Sequence, residues 1–464
     1  MPQADDGIRG WQRNLAIVWI AQFVAFVAFS VFAPILPLYV RRLGVTDEAQ
    51  VQMWAGIIFS APAVTMAVVS PIWGALSDRY GRKIMFVRAA IGGAAIIALM
   101  GFAAGVEQLV TLRAIQGVLS GTVTAATVLV ATTVPKNRVG SSLGMLQMAV
   151  YAGSSTGPLV GGFVADFFSY RSTFFVTAVL LLITGLAVMF FVRERDDTAQ
   201  AAPAQTQAAP AQTQAAPAST QAAPAQTQAA PAQTQGAPES TQRTAGANLT
   251  SRVRGRMRAW LALPGASLLL SVFAINLLAR LGPRIVAPVL TLFVEYLSPD
   301  VTRVASMAGL VSGASAAAGA VGSFVLGRVC DRVGPRPVLI GSIGINTVGY
   351  VLQFTAPSVG ALAGFQAITG FAMGGILAAL GAFLALLAPH GQEGAIYGVN
   401  ASVSSAANAI GPLVGSAVAV ALGLRFPFLA SAVMLIAAGV ATAVLSKPRE
   451  ARLECAPAAP EAPL

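Results

Sequence analysis

Long apolar runs alternate along the chain with short breaks that carry charges or turn residues. A helix needs about 20 apolar residues to cross a bilayer core about 30 Å thick. Twelve runs reach that length, at approximately 14–40, 51–76, 84–104, 108–134, 141–166, 172–192, 265–296, 304–327, 337–355, 359–388, 394–422 and 427–446. Backbone groups in hydrocarbon must bond inside their own segment, so the pattern predicts helices and not strands. The first run exceeds the apolar stretch of a secretory leader and lacks a small-residue cleavage site after it, so it reads as a retained span.

The pattern lapses once, between the sixth and seventh runs. Residues 201–242 are six copies of a seven-residue unit, AAPAQTQ and close variants. A period of seven suggests a coiled coil, but a proline stands in every copy, from Pro203 to Pro238. Proline costs about 3 kcal/mol in a helix interior. The repeats therefore read as a disordered cytoplasmic linker with polyproline character. The expected organisation is a six-helix bundle over 1–196, a linker with a basic flank over 197–258, a second bundle over 259–449 and a tail over 450–464. The flank, RVRGRMR at 252–258, precedes span seven, where anionic lipid head groups attract about 1 kcal/mol per basic residue.

Composition narrows the chemistry. Apolar residues make up 56% of the 464 and charged residues 10%, where a soluble domain carries about 25%. The single histidine, His390, excludes histidine metal clusters, and two distant cysteines, Cys330 and Cys455, exclude a disulfide framework. No metal site, cofactor or enzyme activity is implied. The net charge of +11 is sorted by side: with both termini in the cytoplasm, 21 of the 29 Lys and Arg residues fall on that side. Five fall outside (Arg41, Arg42, Arg171, Arg303, Arg425) and three within spans (Arg113, Arg280, Arg284). Charges scattered over loops on one face do not make a nucleic-acid surface.

The two halves repeat each other. FAPILPLYV (32–40) aligns with VAPVLTLFV (286–294), GALSDRYGRK (74–83) with GRVCDRVGPR (327–336), and GPLVG (157–161) recurs at 411–415, all at an offset of 253 or 254. The expected fold is an all-α membrane protein of twelve helices in two pseudo-symmetric bundles. Such bundles place a binding site between them at mid-depth and expose it alternately to either side.

On these motifs the chain resembles the major facilitator superfamily over nearly its whole length outside the linker. The pattern G-x-x-x-D-R-x-G-R-K after span two is complete in Gly74, Asp78, Arg79, Gly81, Arg82 and Lys83. Span four carries R-x-x-x-G as Arg113 and Gly117. Span five carries G-x-x-x-G-P-x-x-G-G as Gly153, Gly157, Pro158, Gly161 and Gly162, a run characteristic of the drug:proton antiporter branches. The span-one pattern, Phe32, Pro34, Leu36, Pro37 and Tyr39, is similar to the twelve-span branch. WQRNLAIVWIAQF, LPLYVRRLGVT and FVRERDD look most like MdtG-like multidrug resistance proteins. The resemblance implies a bacterial inner-membrane exporter of small molecules, without a cofactor, driven by an ion gradient, expected to be protons, and expected to act as a monomer among membrane lipids.

The resemblance also implies that Asp78 meets the N-terminal end of span eleven near Gly394 and closes the cytoplasmic side, with Arg79, Arg82 and Lys83 bracing the loop. A helix N-terminus attracts a carboxylate. Asp331 and Arg332 hold the mirrored positions in a degraded copy interrupted by Pro335 and Pro337, so a weaker lock is expected there. Gly153, Gly157 and Gly161 lie four apart on one face that lets a neighbouring helix approach closely.

Arg113 has two readings: substrate contact in the cavity, or a hydrogen bond to polar neighbours inside its bundle. A charged side chain at the bilayer centre costs about 2.5–3.5 kcal/mol on insertion scales. In span seven, Asn276, Arg280, Arg284 and Pro288 are spaced by four and align with Gln22, Phe26, Ser30 and Pro34 in span one. Both stripes are expected to line the cavity, with Gln147 and Tyr151 of span five and Asn400, Ser404 and Asn408 of span eleven; Arg284 has the alternative of reaching the outer surface, which leaves Arg280 as the candidate. All 18 acids lie in loops, tails or span ends. Asp166 and Asp78 are the candidates for proton coupling, and Asp166 has the competing role of a salt partner for Arg171. A cavity with arginines and no carboxylates suits anionic or zwitterionic amphiphiles. Two alternatives stand beside multidrug efflux: a proton-coupled importer of a small organic anion, which the span-five glycine run disfavours, and a non-transporting receptor, for which no sensor domain is visible.

Overall fold

The computed structural model describes residues 10–135, 138–192, 266–298, 303–387 and 393–445. The linker and the tail lie outside the described residues. Among the described residues every regular element is helical. The first half contains α1 (Trp11–Val31), a 3₁₀ turn (Ala33–Ile35), α2 (Leu36–Arg42), α3 (Glu48–Tyr80), α4 (Arg82–Met100), α5 (Val106–Leu119), α6 (Thr122–Thr133), α7 (Val139–Phe167) and α8 (Tyr170–Phe191). The second contains α9 (Ala266–Leu297), α10 (Val304–Val333), α11 (Pro335–Phe354), α12 (Val359–Leu387), α13 (Glu393–Leu422) and α14 (Phe426–Leu445).

Each predicted span is occupied by helix, and among the described residues ten helices are long and apolar enough to qualify as membrane-crossing on that ground alone. Span four falls short because it is broken into α5 and α6. Gly121 sits at φ 137°, a conformation that side chains disfavour. Neighbours take up carbonyls at the break: Trp73 Nε1 donates to Val118 O at 2.6 Å and Arg88 Nη2 to Ser120 O at 3.5 Å. Bonding of this kind is what allows an interrupted helix in a membrane. Span five, α7, is rich in Gly and Ser, which lowers its hydropathy. Span one is split around the 3₁₀ turn, since Pro34 and Pro37 lack the N–H groups that would continue α1.

The internal repeat holds in three dimensions. Thr177 Oγ1 donates to Ala28 O at 3.1 Å, and Ser431 Oγ, 254 residues on, donates to Gly282 O at 3.0 Å. The rings of Tyr39 and Phe174 lie 5.1 Å apart, and those of their equivalents Phe293 and Phe428 lie 5.0 Å apart. Gly81 and Gly334, 253 apart, open the helices after spans two and eight at φ 90° and 84° with extended ψ. That region is essentially restricted to glycine.

Small residues set the helix spacing. A Cβ on Gly153, Gly157 or Gly161 would run into the backbone of α1 at Phe23, Val27 or Val31. Gly411 and Gly415 of α13 press on Arg284 and Ile285 of α9 in the same way. Lipid tails are as apolar as leucine, so association in the bilayer rests on such close contact and on hydrogen bonds.

Both ends of the described chain, Trp11 and Leu445, lie at one face, called here the near face. The bundles meet toward the far face. Gly56 of α3 abuts Pro412 and Ser416 of α13, and Gly162 of α7 abuts Ala305 and Ser306 at the start of α10. Gly309 and Gly313 of α10 continue that seam against Pro158, Ser155 and Leu159. In contrast, the near-face core of the first half, including Leu15, Phe86, Leu129 and Val188, draws only on residues of its own half. The molecule is therefore clamped at its far face.

Candidate functional site

The seam between the bundles has one polar wall. Asn276 on α9 is 1% exposed, and its Nδ2 donates to Asn400 Oδ1 on α13. Arg280, one turn further, donates Nε to Asn276 Oδ1 at 2.8 Å. The guanidinium plane is thus held through its inner nitrogen. The two outer nitrogens of a guanidinium form a fork that suits a bidentate anion. Ser404 Oγ bonds back to Asn400 O at 2.9 Å, and Asn408 lies a turn further along α13, half-buried.

Arg284, one turn further along α9, is exposed. Tyr151 of α7 is close enough to Arg280 to interact with it electrostatically, so residues of both halves share this space.

The opposite wall is different in kind. Gln22 is the equivalent of Asn276, but it is fully buried and its amide has no partner among the described residues. The structure therefore does not place it on an open cavity surface. Phe26, the equivalent of Arg280, is half-buried with its Cβ against Gly153. Gln147 is half-buried on α7. The two arginines of the second-half stripe have uncharged equivalents in the first, Phe26 and Ser30.

Arg113 lies apart from this wall. It is 7% exposed and donates Nε to Ile58 O at 3.2 Å and Nη1 to Gln116 Oε1 at 2.6 Å. Phe32 presents its ring 5.2 Å from the guanidinium carbon. Of the two readings, the structure has the internal one: the side chain ties α5 to α3 within the first bundle, and the expected exposure to the cavity is not seen. The physical reason is the nearest available acceptor, a carbonyl of a helix brought close because Gly117 has no side chain to meet Pro62 and Thr65.

The side chains of Asp78, Arg79 and Arg82, and the surroundings of Gly74, lie outside the described residues, as does the predicted contact near Gly394. Lys83 is half-buried. In the second copy, Asp331 and Arg332 are both exposed, and Arg328 stacks on the Phe324 ring at 3.5 Å.

Asp166 corrects an expectation. Its Oδ2 accepts the backbone N–H of Ser306 at 2.7 Å, so its bonded partner is the first turn of α10 in the other bundle and not Arg171. Arg171 lies instead against Tyr39. The glycine run beside Asp166 has two jobs: Gly153, Gly157 and Gly161 face α1, while Pro158 and Gly162 face α10. One far-face pairing escaped the sequence reading, that of Arg41 with Glu295 at 2.5 Å. Their separation of 254 equals the repeat offset, a signal available in the sequence.

Comparisons with known proteins bear on this geometry. The Major Facilitator Superfamily model matches residues 18–279 and 272–463. The chain is 32% identical over 422 residues to a multidrug resistance protein MdtG of Citrobacter koseri, covering 91% of this chain and 92% of the relative. It is 31% identical over 449 residues to MdtG of Klebsiella pneumoniae, covering 97% of each. Among solved structures, a bacterial homologue of the human lysosomal transporter Spinster, inward-facing and occupied, superposes with a TM-score of 0.69 at 14% identity, covering 95% of this chain and 98% of that one. The human organic anion transporter MFSD10 superposes at 0.62 and 16% identity, over 93% and 99%. With its two six-span halves, its repeat and its seam, the chain belongs to the Major Facilitator Superfamily.

Proposed function

We propose that this protein is a secondary active multidrug efflux transporter of the inner membrane that exchanges amphipathic small molecules for protons by alternating access. The observation that supports the substrate class is the asymmetry of the seam. Arg280 is braced by Asn276 and Asn400, Arg284 is reachable by solvent, and the first-half equivalents of the two arginines are Phe26 and Ser30. An amphiphile with an anionic or zwitterionic head fits that division: the head at the arginines, the apolar part toward Phe26 and Tyr151. The names of the MdtG relatives support multidrug export as the direction and range.

Both termini are assigned to the cytoplasm from the sorting of basic residues, so the far face is the outer face and the structure is closed to the outside. Superfamily members typically act as single chains and generally without a cofactor, and a monomer is proposed here. The energy source is assigned to a proton gradient. Asp166 is the proposed acid on the outer side and Asp78 on the inner side.

Everted membrane vesicles test the proposal. Uptake of one acidic and one cationic amphiphile is measured with and without an imposed pH gradient, in wild type, Arg280→Ala and Asp166→Asn protein. Gradient-driven uptake that favours the acidic compound and falls in both variants is the expected result. Preference for the cation, or uptake indifferent to the gradient, would overturn the substrate or the coupling assignment respectively.

A further inference from the structure

Arg41 lies in the last turn of α2 and Glu295 in the last turn of α9. Arg41 Nη1 donates to Glu295 Oε1 at 2.5 Å, across the seam. The two residues occupy the same position in the internal repeat, 254 apart. Positions related by a twofold axis lie on opposite sides of it at equal distance. They touch only where both are next to the axis. The pair therefore sits on the pseudo-twofold axis, at the far-face mouth of the space between the bundles. In a strictly symmetric ancestor like would have met like; here the equivalents carry opposite charge.

A second contact crosses the same face away from the axis. It is the carboxylate of Asp166 on the Ser306 N–H. A third contact stays within the first bundle: Arg41 Nη2 donates to Glu48 Oε1 at 2.7 Å. Arg41 thus holds one partner in each bundle with different nitrogens. If the far face opens, Arg41 keeps Glu48 and does not become an unpaired, half-buried charge. Such a charge would be strongly disfavoured. Glu295 has its second oxygen, Oε2, unpartnered among the described residues even in the closed state. The side chains of Arg41 and Glu295 are 30% and 20% exposed, so the pair is shielded enough to matter and close enough to water to break.

We propose that the Arg41–Glu295 pair is the lock of the outer face, that Glu48 is the resting partner of Arg41 when the lock is open, and that Asp166 on Ser306 supports closure off the axis. The arrangement assigns outer closure to an on-axis ion pair between the halves. It does not depend on which substrate the seam carries.

Distance measurements between spin labels test this in the full chain. Labels are placed at Thr46→Cys and Pro357→Cys, exposed far-face positions in different halves, with Cys330→Ser and Cys455→Ser in the background. The parent protein is expected to populate mainly the short distance. Glu295→Gln removes one charge with little change in shape, and Arg41→Gln removes the other with a shorter polar side chain. Each is expected to raise the long-to-short ratio about tenfold, between the effect of an exposed pair and that of a buried one. The charge swap Arg41→Glu with Glu295→Arg, made together with Glu48→Gln so that the new carboxylate does not face Glu48, restores opposite charges across the axis and is expected to restore the short distance. Glu48→Gln, which leaves the inter-bundle pair intact, is expected to stay closed. The lock is overturned if either single variant keeps the parental distribution, if the charge swap is as open as the single variants, or if Glu48→Gln opens as far as Glu295→Gln. A folding defect is separable by a label pair within the first half, whose distance must not change.

Discussion

Arg280 is the residue on which the substrate assignment can be tried most directly. Arg280→Ala removes a cation and also the partner of Asn276 Oδ1, in a place where Asn276 is 1% exposed. Hydrogen bonds to charged groups contribute about 1.5–3 kcal/mol. Loss of one such contact weakens binding of an acidic compound by roughly 10- to 150-fold. Arg280→Lys keeps the charge but has no planar fork with which to hold Asn276 and an anion at once. It should therefore lose less than alanine and more than nothing. The assay is the concentration dependence of transport for an acidic amphiphile and for a neutral analogue of equal size. Arg280→Ala should raise the half-saturating concentration for the acid by the factor above and change that for the neutral analogue several-fold less. Equal losses for both compounds would mean that Arg280 is a structural member of the wall, and the reasoning from charge would fail.

Three further outcomes follow from the same contacts. Gly161→Val drives a side chain into the Val31 backbone within one bundle, whereas Gly162→Val drives one into Ala305 and Ser306 across the seam. Overpacking costs about 1–3 kcal/mol; Gly161→Val should lower the melting temperature, and Gly162→Val should leave it nearly unchanged while shifting the Thr46–Pro357 label distance outward. Arg113→Leu should cost about 1–3 kcal/mol of stability from the lost bonds to Ile58 and Gln116, seen as lower thermal resistance, with the acid-to-neutral preference unchanged; a changed preference would return Arg113 to the cavity. Asp78→Asn should lower transport at equal membrane abundance, and normal transport by well-expressed protein would remove Asp78 from the inner gate.

Much of the fold is legible in one dimension because the bilayer restricts the choices. Apolar runs of span length, basic residues sorted by side and a repeat at 254 leave few arrangements other than two six-helix bundles. Periods of four also identify faces correctly: Gly153, Gly157 and Gly161 face one helix, and Asn276 and Arg280 share one wall. A period does not name the helix opposite, however. The equivalence of Gln22 and Asn276 suggested two similar walls; both side chains are buried, but Asn276 bonds Asn400 while Gln22 has no polar partner among the described residues.

The sequence by itself determined the number and length of the spans, the side on which charge collects, the duplication and the small-residue faces. These follow from local length, composition and periodicity, which the membrane converts directly into structure. The tertiary structure alone decided that Arg113 turns into its own bundle, that span four breaks at Gly121, that Asp166 reaches α10 and that Arg41 meets Glu295. Each depends on which group, distant along the chain, comes within hydrogen-bonding reach, about 3 Å. That is set by how closely small residues let helices approach and by where the pseudo-twofold axis falls, and neither is written in the neighbours of a residue along the chain.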